Sequence, residues 1–221
     1  MRLLLKRKRI IHKAVNKEAA FRSILEQRYR EKGSLKYTLI YVPEGNRPDN
    51  YDADRFDEVD TLSDDNDAER IINTYTEIVR SISPTTTVKK FTSGIKERNS
   101  VLEDFASGRL EVLTSMKCLD EGIDVPRSEL AIFCASTGNP RQFIQRRGRV
   151  LRNHPDKHKA EIHDLVVAPI VNSSDECFFM EQSLLRSELK RVRDFATMSE
   201  NADYAYNELD EVLSYYGLSL F

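Results

Sequence analysis

An α/β fold with a largely parallel sheet and a helical tail is predicted by three observations. Short, β-rich apolar runs recur along residues 36–170, amphipathic helical stripes lie between them, and residues 171–221 carry two further stripes with no strand between. Strands and helices in alternation are the pattern of βαβ units, whose crossover helices cover both faces of a parallel sheet.

The elements follow in order. Residues 1–35 are basic, with Arg2, Lys6, Arg7, Lys8, Arg9, Lys13 and Lys17, and form a helical lead-in. The first strand is expected over Tyr37–Val42. Residues 44–69 then hold eleven acidic side chains and little apolar surface (Glu44, Asp49, Asp52, Asp54, Asp57, Glu58, Asp60, Asp64, Asp65, Asp67 and Glu69), which predicts a mobile surface insertion. Ile71, Ile72, Tyr75, Ile78, Val79 and Ile82 recur at helical spacing, as do Ile95, Leu102, Phe105 and Ala106. Further strands are expected over Thr87–Phe91, Glu111–Thr114, Leu130–Cys134 and Glu161–Val167. In the tail, Leu184, Leu185, Leu189, Val192 and Phe195 form one stripe, and Ala205, Leu209, Val212, Leu213 and Tyr216 the other.

Composition narrows the class. The 221 residues are 40% hydrophobic and 32% charged, with no Trp and a net charge of -2 that averages a basic start against the acidic stretch. Cys118, Cys134 and Cys177 are widely spaced and odd in number, which suits a reducing compartment and buried thiols rather than disulfides. No run approaches the roughly 20 apolar residues of a membrane span, and the opening apolar run is too short for a secretory signal. A soluble, cytoplasmic protein is expected.

The densest chemical signal is Gln145 to Arg152, with four arginines in eight residues. Arginine keeps its charge and offers a planar fork of donors matched to phosphate oxygens. Asn139-Pro140 reads as an N-cap and a first-turn proline, so Arg141 to Arg152 should start on a helix. There Gln145 and Arg149 share a face, as do Arg149 and Arg152. Taken alone, such a run is equally readable as a solvated basic helix. Two neighbours shift the balance toward a ligand: Thr114-Ser115 ends the third strand, and Asp120-Glu121-Gly122-Ile123-Asp124-Val125-Pro126 connects toward the fourth. Loops at the carboxyl ends of parallel strands are where α/β sheets bind ligands.

Taken together, these segments resemble the second RecA-like domain of superfamily 2 helicases and translocases, over residues 36–168. Leu39-Ile40-Tyr41-Val42 is similar to motif IV, Phe91-Thr92-Ser93-Gly94 with Glu97-Arg98 to motif IVa, Thr114 to Pro126 to motif V, and Gln145 to Arg152 to motif VI. The resemblance implies that Arg149 and Arg152 are arginine fingers for the γ-phosphate of ATP, bound with Mg mainly by a first lobe. It implies that Gln145 orients the phosphate or attacking water, and that Gly122 and Asp124 lie near the ribose and the lobe interface. Ser93, Gly94, Thr114 and Ser115 would contact nucleic-acid phosphates, DNA being the expected track. Arg146 would form an internal ion pair with Asp120 or Asp124. Arg147 takes no assigned role. Cys118–Pro126 and Gln145–Arg152 are similar to DEAD/DEAH-type translocases related to restriction-enzyme helicase subunits.

No glycine in the sequence is followed by lysine, so the phosphate-cradling GxxxxGK[ST] loop is missing. The chain alone is therefore expected to be inactive, a fragment or separate half of a larger enzyme whose first lobe lies in the same or a partner polypeptide. Asp57-Glu58-Val59-Asp60 spells a magnesium-binding pattern but lacks the apolar strand that should precede it. His154, His158 and His163 lack the cysteine pair of a zinc site, and Cys118 has no histidine near it in sequence to make it a nucleophile. The competing readings are a non-catalytic nucleic-acid-binding module and a scaffold for other subunits.

Overall fold

In a computed structural model of the chain, residues 14–43, 64–92, 94–116, 125–134, 140–171 and 177–220 are described, with side chains described from 68 in the second of these segments and from 143 in the fifth. The chain divides between Leu165 and Val166 into two compact units.

The first unit runs α1 (Lys17–Lys32), β1 (Thr38–Tyr41), α2 (Asp64–Ile82), β2 (Val88–Phe91), α3 (Arg98–Ala106), β3 (Val112–Ser115), β4 (Leu130–Phe133), α4 (Pro140–Val150) and β5 (Glu161–Asp164). Its five strands are ordered β2-β3-β1-β4-β5. Every pairing is parallel. The predicted parallel α/β architecture, a sheet flanked by helices in the RecA-like manner, is what the chain forms.

β1 is the central strand, and all four of its side chains are buried. One face carries Ile40, Val42, Val112, Leu130, Ile132 and Cys134 against Phe21 and Leu25 of α1 and Ile72, Tyr75, Ile78 and Val79 of α2. Phe21 and Tyr75 meet edge to face at 4.9 Å. The helical stripe expected from Ile71 to Ile82 is thus the inner face of α2.

α1 is braced at both ends of β4. Lys17, 5% exposed, donates from Nζ to the Cys134 carbonyl at 2.9 Å. Eleven residues later Arg28 pairs with Glu129 at 3.2 Å and Glu161 at 3.6 Å. Eleven helical residues and the five steps from Glu129 to Cys134 both span about 16 Å, so the two anchors match in length.

Two local expectations change. Asp64–Glu69, assigned to a mobile insertion, are the first turns of α2, because the apolar stripe that follows gives the helix a face to bury; residues 44–63 lie outside the described residues. Ile95 precedes α3 rather than sharing its stripe, and Val101, 1% exposed, joins Phe105 on the inner face.

The second unit pairs α5 (Phe178–Ala196) with α6 (Ala202–Tyr216). Leu185, Leu189, Val192 and Ala196 pack with Leu213, Tyr216 and Leu220, as the tail stripes predict. No helix among the described residues is long and apolar enough to cross a membrane.

Gly108 closes the turn after α3 at φ 74°, and a Cβ there would stand 2.8 Å from the Tyr37 hydroxyl. Gly33, at φ 69°, has open space around it. Gly33→Ala should cost about 1–2 kcal/mol for its left-handed backbone alone, and Gly108→Ala more. Urea denaturation checks this, with Tyr37→Phe expected to recover part of the loss only in the Gly108→Ala background.

Candidate functional site

The site candidates gather at the carboxyl edge of the sheet. The register places Phe91, Ser115, Tyr41, Phe133 and Asp164 in one row across the five strands. Partners in a parallel register point to the same side, and successive residues to opposite sides. Consecutive residues at this edge therefore have different surroundings.

Thr114 and Ser115 show the consequence. Thr114 faces α2, where its Oγ1 lies 3.1 Å from the Thr76 hydroxyl, and it is fully buried. Its hydroxyl is committed between helix and sheet, which narrows the expected phosphate contact at this position to the backbone. Ser115 points to the other side; its Oγ is buried and lacks a hydrogen-bond partner among the described residues. A buried hydroxyl without a partner costs about 1–3 kcal/mol, so it marks a place where a further polar group fits.

The arginine helix α4 lies on that second side. Phe143, Arg146 and Val150 recur at i, i+3 and i+7 and are buried at 4%, 2% and 0% exposure. The Arg146 guanidinium stands 5.1 Å over the ring of Tyr41, which stacks at 4.7 Å on Phe133 with the planes 1° apart. A cation over a desolvated aromatic face contributes about 2 kcal/mol. Arg146 thus anchors the helix to the central strand; the ion pair expected with Asp120 or Asp124 lies outside the described residues.

With that stripe turned inward, Gln145 is exposed and Arg147 and Arg149 are half-buried. Arg152 is exposed but is not on the helix, which ends at Val150, so the expected helical face shared by Arg149 and Arg152 does not form. The two are instead joined across the helix end, where the Arg152 amide donates to the Arg149 carbonyl at 3.3 Å. Gly148, a poor helix former, lies two residues before this end. Gly94 is exposed with open space about it. Ser93, Gly122 and Asp124 lie outside the described residues, as do Cys118 and Asp57–Asp60.

Two positioning groups were not found from the sequence. Lys157 donates from Nζ to the Val150 carbonyl at 2.9 Å and the Pro126 carbonyl at 2.8 Å, tying the end of α4 to the segment before β4. Burial pulls its ammonium below the usual lysine range, with Glu129 acting against the shift. A lysine just beyond a basic helix is a recognisable helix-end partner, but the octet drew attention to arginines alone. Lys17 is the other, holding the Cys134 carbonyl where β4 leaves the sheet. Burial pushes the Cys134 thiol well above its ordinary pKa, so it is a packed side chain, not a nucleophile. His163 on β5 lies 2.6 Å from Glu161, and His154 contacts Arg127 at 3.2 Å.

A parallel five-strand sheet with the arginine helix seated over its carboxyl edge is a RecA-like arrangement of elements. Residues 67–154 match the family described as the helicase conserved C-terminal domain. The DNA 3'-5' translocase XPB2 of Sulfurisphaera tokodaii is 45% identical over 56 residues, covering 25% of this chain and 13% of that protein. A Dicer-like protein 2 of Neurospora crassa is 33% identical over 108 residues, covering 49% of this chain and 6% of that one. The chain thus spans a small part of these relatives. Among solved structures, the C-terminal part of the Fun30 ATPase domain superposes with a TM-score of 0.51 at 15% identity, over 78% of this chain and 45% of that one, a likeness of fold.

Lys157→Met should free the end of α4. Amide exchange at Leu151 and Arg152 should accelerate about tenfold or more, since the two carbonyls lose a charged donor. Exchange in the strands should be unchanged, and Lys157→Arg should restore most of the protection.

Proposed function

We propose that this chain is the second motor lobe of an ATP-dependent nucleic-acid helicase or translocase. The observation that carries this reading is the seating of α4, whose Arg146 is buried on Tyr41 while Gln145 and Arg152 stay exposed at the sheet's carboxyl edge. The match of residues 67–154 to a helicase C-terminal domain supports it. A first RecA-like lobe, in the same or a partner polypeptide, is part of the proposal.

ATP with Mg is the cofactor this reading requires, and the residues present fit half of a phosphate site. They offer guanidinium and amide donors but no Gly-Lys phosphate loop. Bound between lobes, ATP supplies a phosphoryl group on which negative charge builds, and Mg offsets part of that charge. Arg149 and Arg152 would hold the γ-phosphate, and Gln145 would orient the phosphate or the attacking water. Gly122 and Asp124 complete the ribose side. Donors already placed where charge develops cost no reorganisation at the moment of reaction.

Nucleic acid lies along the same carboxyl edge of the sheet. Ser93, Gly94, Thr114 and Ser115 grip phosphates through amides and the Ser115 hydroxyl, contacts that position a strand without reading its sequence. The relative named a DNA 3'-5' translocase favours DNA as the track. The kinship to restriction-enzyme helicase subunits rests on Cys118–Pro126 and Gln145–Arg152, and cytoplasmic placement on the thiols and the composition.

The test is made in the polypeptide or complex that includes the first lobe. Arg149→Ala and Arg152→Ala should each lower nucleic-acid-stimulated ATP hydrolysis by about 10³-fold or more while leaving nucleic-acid affinity within about threefold. Full turnover in Arg152→Ala would remove the finger assignment, and a complex with no Gly-Lys-Ser/Thr loop in any subunit would favour a non-catalytic binding module.

A further inference from the structure

The second unit carries a charged stripe that the motor reading does not use. On α5, Phe179, Ser183, Arg186, Lys190, Arg193 and Thr197 are all exposed. At 100° per residue their positions fall within about 40° of one line along the helix. Leu185, Leu189, Val192 and Ala196 lie on a different face and form the core with α6. The stripe is therefore turned away from the unit's own interior.

Its cations outnumber the acids beside them. None of Arg186, Lys190 and Arg193 forms an ion pair among the described residues. Of the three acids of α5, Glu188 is 5% exposed and bonded to Arg191 at 2.9 Å, Glu181 accepts from the Tyr216 hydroxyl at 2.7 Å, and half-buried Asp194 borders the stripe beside Arg193, which leaves three cations to one adjoining carboxylate. Across residues 166–221 acidic side chains outnumber basic ones, so this is a local concentration of cations on an acidic unit. A stripe left over from general surface basicity would not be confined in this way.

The stripe begins with an exposed aromatic ring. Phe179 is 78% exposed, although the neighbouring Phe178 packs on Tyr216 at 5.2 Å, so the unit has aromatic surface to bury but leaves this ring outside. Arg186, Lys190 and Arg193 extend over about 10 Å of helix, with Phe179 about 10 Å before them. Aligned cations with an aromatic platform are what a single nucleic-acid strand binds: phosphates on the cations, a base on the ring.

We propose that the exposed face of α5 is a binding surface for single-stranded nucleic acid, with Arg186, Lys190 and Arg193 meeting consecutive phosphates and Phe179 stacking on a base. The proposal rests on the nucleic-acid reading of the lobe for its occupant, and on α5 alone for its location. It places the contact in a unit that the sheet-edge residues do not reach by sequence.

Fluorescence anisotropy of the 221-residue chain with a labelled oligothymidine, over a series of salt concentrations, tests it. The triple variant Arg186→Ala, Lys190→Ala, Arg193→Ala should lower the slope of log affinity against log salt by about 2, from about 0.7 per cation on a single strand. Phe179→Ala should weaken binding roughly 5- to 100-fold with the salt slope unchanged. A control triple variant of equal charge change, Lys36→Ala, Arg80→Ala, Arg109→Ala, should keep its slope. Equal losses in both triples would reduce the effect to net charge and overturn the proposal. Binding with an unaltered slope in the α5 triple would overturn it and leave the sheet-edge grip standing, whereas no binding by the parent chain would remove both. Stripe-dependent binding of poly-glutamate but not of the oligonucleotide would mark a protein partner and likewise overturn it.

Discussion

The packing of Tyr41 between Phe133 and Arg146 is the contact on which the candidate site depends. Tyr41 ends the central strand, which has a neighbouring strand on each side. Phe133 stacks on it from the next strand, and the pair presents an aromatic surface over which Arg146 buries its guanidinium. A buried arginine is costly unless its charge is met. That requirement makes the seat selective for one rotation of α4. Once Arg146 faces inward, helical geometry turns Gln145 outward and leaves Arg147 and Arg149 at the margin, whatever their individual preferences.

The same economy appears at the ends of β4. Lys17 and Arg28 brace α1 along the strand, one at each end, and Lys157 ties the last carbonyl of α4 to the segment before β4. Each of these cations acts through a backbone carbonyl or a carboxylate close to a strand terminus. Strand ends and helix ends hold the backbone groups that regular structure leaves unpaired. Charged side chains meeting them convert loose terminations into defined ones. The loops that carry function in an α/β sheet leave from those terminations.

A division of labour between the two units follows. The sheet-bearing unit concentrates cations at one edge, several of them consumed internally, and what remains outward is a small donor set suited to phosphate. The helical unit buries its apolar stripe and the Glu188–Arg191 pair, and directs the rest of the basic residues of α5 outward with Phe179. Both surfaces suit polyanions, but by different means: directed donors at the sheet edge, an extended cationic line on the helix.

Residue order alone determined the parallel α/β class, the five strands within a residue or so at most ends, the inner stripe of α2 and the tail helices, because period 2 and period 3.6 burial are written locally in Leu39–Tyr41 or Ile72–Val79. It also singled out Gln145–Arg152 as the densest run of arginines. It did not separate Thr114 from Ser115, since adjacent hydroxyls look alike until a strand faces one into α2 and the other away. It did not distinguish Arg146 from Arg149, or show that Arg152 falls past the helix end. Those outcomes depend on Tyr41, Phe133 and Lys157, which meet α4 only in the folded chain; contacts between residues distant in sequence carry no periodicity, so only the tertiary structure could decide them.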